Sequence, residues 1–215
     1  MAIMKRMVFL SALFLAVTAF CFAQAPRAPT ITYMEGTVTV DGRPAAIGDA
    51  VPLGSVVVTS AQSLADIEFS ARNVVRLSAN TTLVFNPRNL LTGSELRLGA
   101  LTLVLKNLSA GTAAENFLVR TPTTVAGVRG TSFFISVESP TSTYVCACNG
   151  AVQVLGPDGS VLKELVASHH KAVRVTGGVG TPQVTDAPML YHTDKDLEAV
   201  ASDIGYTINW NVVDQ

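Results

Sequence analysis

Charged residues are scarce in this sequence, and neither sign is in clear excess. Only 14% of the 215 residues are charged, and the formal net charge is −1. Proteins that bind nucleic acid or an anionic membrane surface usually carry a concentrated basic patch. We therefore expect no nucleic-acid partner and no electrostatic attachment to a membrane.

A hydrophobic run long enough to cross a membrane is also lacking. The most apolar run, Met7–Phe22, follows two basic residues and falls short of the about 20 residues that a membrane helix needs. This pattern predicts a cleaved signal peptide over residues 1–23, and a mature chain that is periplasmic or otherwise exported and has no transmembrane helix. The alternative is a lipoprotein signal with lipid on Cys21, although the bulky Phe20 fits such a signal poorly.

Recognisable catalytic motifs are missing as well. The sequence has no Gly-x-Ser-x-Gly, no phosphate-binding glycine-rich loop and no His-Glu-x-x-His. We therefore predict that the chain is not an enzyme. Soft metal ligands are few: there are three cysteines, one of them in the predicted signal peptide, and three histidines, which all follow the other two cysteines.

What the sequence does contain is a succession of short β-type runs from residue 31 to residue 175. Runs rich in Val, Thr, Leu and Phe are broken by Gly, Pro, Asn and Asp about every ten residues, which is typical of an all-β domain. Apolar and polar residues alternate in Ala65–Phe69, as in a strand with one buried face. We predict an all-β domain over residues 30–176.

The composition changes after this domain. Glycines and Pro182 indicate a flexible linker over residues 177–189. Thr193 then offers a helix N-cap followed by acidic residues, and apolar residues at helical spacing lead to Gly205. We predict one short helix within a C-terminal helical region, residues 190–215.

A series of short motifs runs through the β region. They are Gly36-x-Val38-x-Val40, Ile47-Gly48-Asp49, Val58-Thr59, Ser63-x-Ala65-x-Ile67-x-Phe69, Val75-Arg76-Leu77, Asn80-Thr81, Phe117-x-Val119-x-Thr121-Pro122, Ala126-Gly127-Val128-Arg129-Gly130-Thr131-Ser132-Phe133 and Gly150-x-Val152-x-Val154. Each motif is common alone, but the ordered set is not expected by chance. The set resembles the FecR domain, a periplasmic all-β module of iron-siderophore signalling regulators and other exported bacterial proteins.

The resemblance implies a curled two-layer or solenoid-like stack of short strands. It also implies a non-enzymatic binding or scaffold role in the cell envelope, with a protein or polysaccharide as the partner. A full FecR-type regulator has an anti-sigma segment and a membrane helix ahead of this domain. Because a signal peptide is predicted in their place, we do not expect the anti-sigma function here. Within the domain, Gly130 is expected to bulge its strand and Arg129 to pair with a carbonyl or carboxylate.

The two cysteines beyond the predicted signal peptide lie in one predicted strand. Cys146 and Cys148 share a face of it, because strand side chains alternate. The strand is expected to form a hairpin with residues 160–166 around the turn Gly156-Pro157-Asp158-Gly159. If this turn is tight, Cys146 lies opposite His169.

These residues define a candidate metal site, and with it an alternative function as a metal- or haem-binding envelope protein. The candidate ligands are Cys146, Cys148, His169, His170 and His192. Thiolate and imidazole ligands suit zinc, copper or haem iron. Two other interpretations stay open: a strained disulfide between the cysteines, or two small core residues on the face of Val152 and Val154.

Overall fold

Most of the alternating segments of the sequence form strands. A computed structural model describes residues 28–70, 72–87, 93–106, 117–177 and 182–214. The predicted signal peptide, residues 1–23, lies outside the described residues. The strands are β1 (Thr30–Glu35), β2 (Val38–Val40), β3 (Arg43–Pro44), β4 (Ser55–Thr59), β5 (Leu64–Phe69), β6 (Asn73–Leu77), β7 (Thr82–Phe85), β8 (Ser94–Leu105), β9 (Phe117–Arg120), β10 (Val125–Ser139), β11 (Ser142–Leu155), β12 (Val161–Ala167), β13 (Lys171–Thr176) and β14 (Gln183–Ala187). They are followed by one helix, α1 (Asp194–Asp203).

These strands form a single hydrogen-bonded network, antiparallel except for the pair β8 and β9. The long strand β11 connects two parts of it, because β11 pairs with β10 on one edge and with β13 and then β12 on the other. The network forms a closed five-strand barrel with additional strands. The predicted all-β fold with a short C-terminal helix is confirmed, whereas its solenoid-like form is not supported.

Side chains are buried on both faces of the long strands. The inner face, with Phe133, Ile135 and Val145, encloses the main apolar core. The outer face, with Phe134 and Tyr144, belongs to a second apolar cluster that includes residues of α1. Successive residues of β10 and β11 therefore pack into different clusters, as strand alternation requires.

A bulge in the β10–β11 pair changes which residues face inward. Gly130 has a φ of +53° and Gly150 a φ of +123°, and the register shifts between Arg129 and Ser132. A side chain at Gly150 would collide with Thr131, so this position requires glycine. The predicted bulge at Gly130 is confirmed. The side chain of Arg129 is outside the described part of the structure, so its pairing stays a prediction.

The bulge places the two cysteines on the outer face. Cys146 and Cys148 belong to the outer cluster, whereas Val152 and Val154 belong to the main core. The expectation that the cysteines continue the face of these valines is therefore wrong, because the bulge interrupts the two-residue period of the strand.

The β11–β12 hairpin has the predicted turn but another register. Gly159 N donates to Gly156 O at 2.9 Å, and Gly156 N donates to Ser160 O at 2.8 Å. The turn is thus one residue wider than a tight turn, and a further shift follows within the hairpin. Cys146 pairs with β13 instead, so its predicted position opposite His169 is wrong.

The region predicted as a linker, residues 177–189, contains strand β14, which pairs along β13. The strand has only 5 residues and none of them is fully buried, so its sequence carries little apolar alternation. Among the described residues, no helix has the length and apolarity of a membrane span.

Residues 188–214, which we call the C-terminal arm, cover the outer face. The helix within the arm starts as predicted: Thr193 is its N-cap, and its backbone N–H donates to the Asp196 carboxylate at 2.7 Å. Leu197, Val200 and Ala201 of α1 are buried in the outer cluster. The arm therefore closes the second cluster.

Candidate metal centre

Four potential metal ligands converge beneath the C-terminal arm. Cys146 and Cys148 come from β11, and strand alternation directs both to the outer face. His170 lies in the turn between β12 and β13, where its N–H donates to Cys148 O at 3.0 Å. His192 belongs to the arm and immediately precedes Thr193, the N-cap of α1. Three segments that are distant in sequence thus supply one cluster.

The ligand atoms of this cluster lie within 4.8 Å of one another. The two Sγ atoms of Cys146 and Cys148 are 3.9 Å apart. Cys146 Sγ lies 3.5 Å from His170 Nδ1, and Cys148 Sγ lies 3.4 Å from His192 Nε2. The two nitrogen atoms are 3.3 Å apart.

These separations are close to those of a tetrahedral zinc site. With Zn–S bonds of about 2.3 Å and Zn–N bonds of about 2.0 Å, tetrahedral angles place two sulfurs about 3.8 Å apart and two nitrogens about 3.3 Å apart. A sulfur and a nitrogen are then separated by about 3.5 Å. Four of the six separations in the cluster therefore match a two-sulfur, two-nitrogen zinc site, and the other two are at most 4.8 Å.

Both imidazole rings are held from the side that faces away from the cysteines. His170 Nε2 lies 2.8 Å from Asp194 Oδ1, and His192 Nδ1 lies 2.7 Å from Leu190 O. A carbonyl oxygen accepts and does not donate, and an ionised carboxylate behaves in the same way. The outward nitrogens are therefore the donors, and each neutral ring directs its lone pair toward the cysteines.

This orientation leaves two lone pairs facing each other. His170 Nδ1 and His192 Nε2 are 3.3 Å apart, and neither carries a proton when both rings are neutral. Such an arrangement needs a thiol S–H donor for each nitrogen, or a cation at the centre of the cluster. A proton on one ring or a metal ion bound by both removes the repulsion.

The same contacts separate the pKa values of the two thiols. The pKa of Cys146 is lowered to about 4, mainly by a hydrogen bond from Cys148. Burial opposes this shift, and contacts with His170 and His192 add to it. Burial, reinforced by Cys146, raises the pKa of Cys148. Burial acts against protonation of His170, but its contacts with Cys146 and Asp194 prevail and raise its pKa. The cluster thus favours one thiolate, the form of cysteine that binds metals.

Aromatic rings close the cluster off from solvent. The Phe134 ring stacks on His192 with centroids 4.4 Å apart, and Trp210 stacks on His170 at 5.3 Å. Both cysteines are fully buried, and His192 is 6% exposed. An ion at the centre would have four protein ligands, as structural zinc ions do.

The structure does not bring His169 into this cluster. Its side chain is 51% exposed, and its Nε2 lies 3.1 Å from Asp194 Oδ2. His169, His170 and Asp194 form a second and more exposed group. Asp194 was not among the predicted site residues, because an acidic residue in the first turn of a helix is explained by the helix dipole alone. The only sequence feature that connects Asp194 with the cluster is its position two residues after His192.

The cysteines are not joined in a disulfide. Both are free thiols, and the sulfurs are separated by 3.9 Å. They also differ from inert core residues, because each sulfur contacts an imidazole nitrogen rather than apolar atoms alone.

Fold and cluster together define an all-β protein with a buried two-cysteine, two-histidine cluster beneath a C-terminal arm. The family model described as FecR protein matches residues 55–153. The resemblance is confirmed, and the chain contains a FecR domain. Cys146 and Cys148 lie within the matched range, whereas His170 and His192 lie beyond it.

No curated protein matches the chain. Two crystal structures of a candidate anti-sigma factor from Parabacteroides distasonis, at 1.65 Å and 2.50 Å resolution, resemble it with 18% sequence identity and a TM-score of 0.47. Each alignment covers 61% of this chain and 59% of that chain. The present chain thus spans less than two thirds of the length of that protein.

Proposed function

We propose that this chain is a non-enzymatic protein of the bacterial cell envelope whose FecR domain, together with the C-terminal arm, holds one zinc ion. The ligand atoms are Cys146 Sγ, Cys148 Sγ, His170 Nδ1 and His192 Nε2. The observation that carries the proposal is the agreement between four of the six separations of these atoms and those of a tetrahedral zinc site. The outward hydrogen bonds of both rings support it, because they aim the lone pairs at the centre.

Zinc fits this cluster better than the other candidate metals. A tetrahedral set of two thiolates and two imidazoles is typical of zinc, whereas Cu(II) favours a tetragonal arrangement. Haem iron requires room for the macrocycle beside its axial ligand, but the four candidate ligand atoms lie within 4.8 Å of one another, and both cysteines and His192 are buried. When bound, zinc would neutralise the charge of both thiolates and accept the lone pairs of both imidazoles.

The four-residue ligand set also supports the absence of catalysis. Catalytic zinc sites keep one position open for water or substrate, whereas structural sites fill all four positions with protein ligands. The predicted signal peptide at residues 1–23 and the envelope association typical of FecR-like domains support an exported location. In this setting the FecR domain serves as a scaffold for an envelope protein or a polysaccharide.

The test of the proposal is metal content. The full chain, produced with its natural N-terminus and purified under reducing conditions, is analysed by elemental mass spectrometry, and we expect about one zinc per chain. After metal removal, titration with Co(II) should restore one equivalent and produce thiolate-to-cobalt absorption. Two titratable thiols in a chain that takes up neither metal would contradict the proposal.

Two adjacent histidines provide a matched control. His170→Ala removes a proposed ligand, so we expect stoichiometric binding to be lost. His169→Ala removes an exposed ring outside the cluster, so we expect one zinc per chain to remain. Equal metal contents in the two variants would contradict the ligand assignment.

Exported location has its own test. Cell fractionation followed by N-terminal sequencing should find the mature chain outside the cytoplasm and beginning near Gln24. An uncleaved chain in the cytoplasmic fraction would contradict this part of the proposal.

A further inference from the structure

Building on the proposed zinc site, we infer that the metal also fastens the C-terminal arm to the outer face of the sheet. Metal occupancy then controls how often the arm opens and exposes that face. The zinc site is on this account a latch between the FecR domain and the arm.

The ligands are divided between the two parts that the latch joins. Cys146, Cys148 and His170 belong to β11 and the β12–β13 turn, whereas His192 belongs to the arm. Asp194, also in the arm, holds the outward nitrogen of His170 at 2.8 Å. An ion with this ligand set would therefore bind both parts and would lose a ligand if the arm opened.

Besides the contacts of Asp194 with His169 and His170, the helix is held in place mainly by packing. α1 has 10 residues, and helices of this length are marginal in water without packing partners. Its packing consists mainly of Leu197, Val200 and Ala201 in the outer cluster. Arg76 and Asp203 add a partly exposed ion pair of 3.3 Å.

Hydrogen bonds attach the arm mainly on either side of the helix. Tyr144 Oη donates to Pro188 O and accepts from Leu190 N, both at 3.0 Å. Beyond α1, the side-chain amide of Asn149 donates to the carbonyls of Asn209 and Val212 at 3.0 Å each. The helix therefore opens as a segment between two attached ends, and His192 stands at the start of that segment.

Metal loss acts on the arm rather than on the sheet. Without an ion, no metal binds the lone pairs of His170 Nδ1 and His192 Nε2, which face each other across 3.3 Å. Both histidines lie outside any strand or helix, but the His170 N–H donates to Cys148 O of the sheet, whereas the His192 ring donates to Leu190 O within the arm. Movement of His192 is thus the smaller rearrangement, and it carries the start of α1 away from the sheet.

Opening uncovers an apolar surface. The arm covers Val74, Val104 and Phe134, which are at most 2% exposed. Contiguous exposed apolar patches on soluble domains commonly serve as interaction sites. The latch thus makes exposure of this face depend on metal.

Hydrogen exchange measured by mass spectrometry tests the latch on the full chain. Samples are kept reduced and contain either saturating zinc or a chelator. A ligand that binds only the closed form at 100 times its Kd lowers the open population about 100-fold, and residual binding to the open form reduces this factor. We therefore expect amides of α1 to exchange at least about tenfold faster in chelator, with little change in the strands around Phe133.

The outcomes separate the latch from the zinc site itself. One zinc per chain with faster α1 exchange after its removal supports both. One zinc per chain with unchanged α1 exchange overturns the latch and leaves the proposed function standing. No zinc uptake overturns the proposed function, and the latch with it.

A second measurement uses the reciprocity of coupled equilibria. Leu197→Ala weakens the packing of α1 without touching a ligand, so we expect it to lower zinc affinity, by about tenfold. Lys195→Ala, on the exposed side of the same helix, should leave the affinity unchanged. Equal affinities for the Leu197 variant and the unsubstituted chain would overturn the latch.

Discussion

The inner and outer faces of β11 bury neighbouring residues in two different ways. Val145 and Ala147 face an apolar core that is closed by other strands. Cys146 and Cys148 face imidazole nitrogens, aromatic rings and the C-terminal arm. The inner face therefore needs only packing, whereas the outer face needs a covering segment and, with the zinc site that we propose, a cation. We expect metal to matter for one face and not for the other.

The largest expected effect comes from two adjacent phenylalanines of β10. Phe133 faces the main core and Phe134 the outer cluster, and both are buried. Phe133→Ala should lower the free energy of unfolding by about 3–5 kcal/mol, equally with zinc and with chelator. Phe134→Ala should lower the free energy of unfolding more with zinc than with chelator, because the Phe134 ring stacks on His192. Denaturant unfolding of both variants under both conditions checks this, and the same zinc dependence in the two would contradict the comparison.

Direct removal of a ligand should abolish the stabilisation by metal. At 1,000 times its Kd, zinc should raise the free energy of unfolding of the unsubstituted chain by about 4 kcal/mol. Cys148→Ala should gain almost none of this, and His169→Ala should gain nearly all of it. Thermal or denaturant unfolding with and without zinc measures the difference. A Cys148 variant that zinc stabilises as strongly as the unsubstituted chain would show that the ion binds elsewhere.

Asp194 should affect zinc affinity without contacting the ion. It is a positioning residue, because it holds the outward nitrogen of His170. Asp194→Asn should weaken zinc binding about 10- to 100-fold, as loss of such partners usually does. Asp186→Asn removes the same charge from the exposed strand β14, where Asp186 pairs with Lys163, and should have a smaller effect. Competition with a chromophoric chelator gives both affinities, and equal losses would contradict this role.

The smallest expected effect concerns an attachment of the arm that does not involve metal. Two hydrogen bonds of 2.6 Å from Arg174 to Glu138 lower the pKa of Glu138 to about 2, and the hydroxyl of Tyr191 in the arm also donates to it. Because this pKa lies below its ordinary value of 4.5, the stabilisation is present above about pH 4.5 and is lost as pH falls toward 2.

Glu138→Gln should therefore lower the free energy of unfolding at pH 6 and have almost no effect near pH 2. The difference at pH 6 should stay below about 1 kcal/mol, because solvent screens this partly exposed ion pair. Chelator in every sample keeps pH-dependent metal binding out of the comparison. A difference that does not change with pH would mean that the carboxylate charge is not the cause.

The sequence allowed much of the fold to be predicted, since alternation and turn chemistry are local properties. The N-cap at Thr193 and the Gly156–Gly159 turn could be recognised from a few consecutive residues. The strand partner of Cys146 could not be recognised in this way. Each bulge or wider turn shifts the register of the paired strands by one residue, and the sequence does not show where these shifts occur. A tight turn implied His169, and the observed register brings His170 to the cysteines instead.

The candidate site was predictable in its residue types more than in its geometry. Thiols and imidazoles are rare in this chain, so the sequence could indicate which residues would bind a metal. Four of the five candidate ligands lie together in the structure. Asp194 and the carbonyl of Leu190 could not be selected from the sequence. Their roles depend on how the arm folds back over β11, and that is determined by long-range packing.

X-ray absorption at the zinc edge of the purified, reduced full chain tests the central claim most directly. The proposed site predicts two sulfur neighbours at about 2.3 Å and two nitrogen neighbours at about 2.0 Å around a single bound zinc. A chain without zinc, or a zinc ion surrounded only by oxygen and nitrogen, would contradict it.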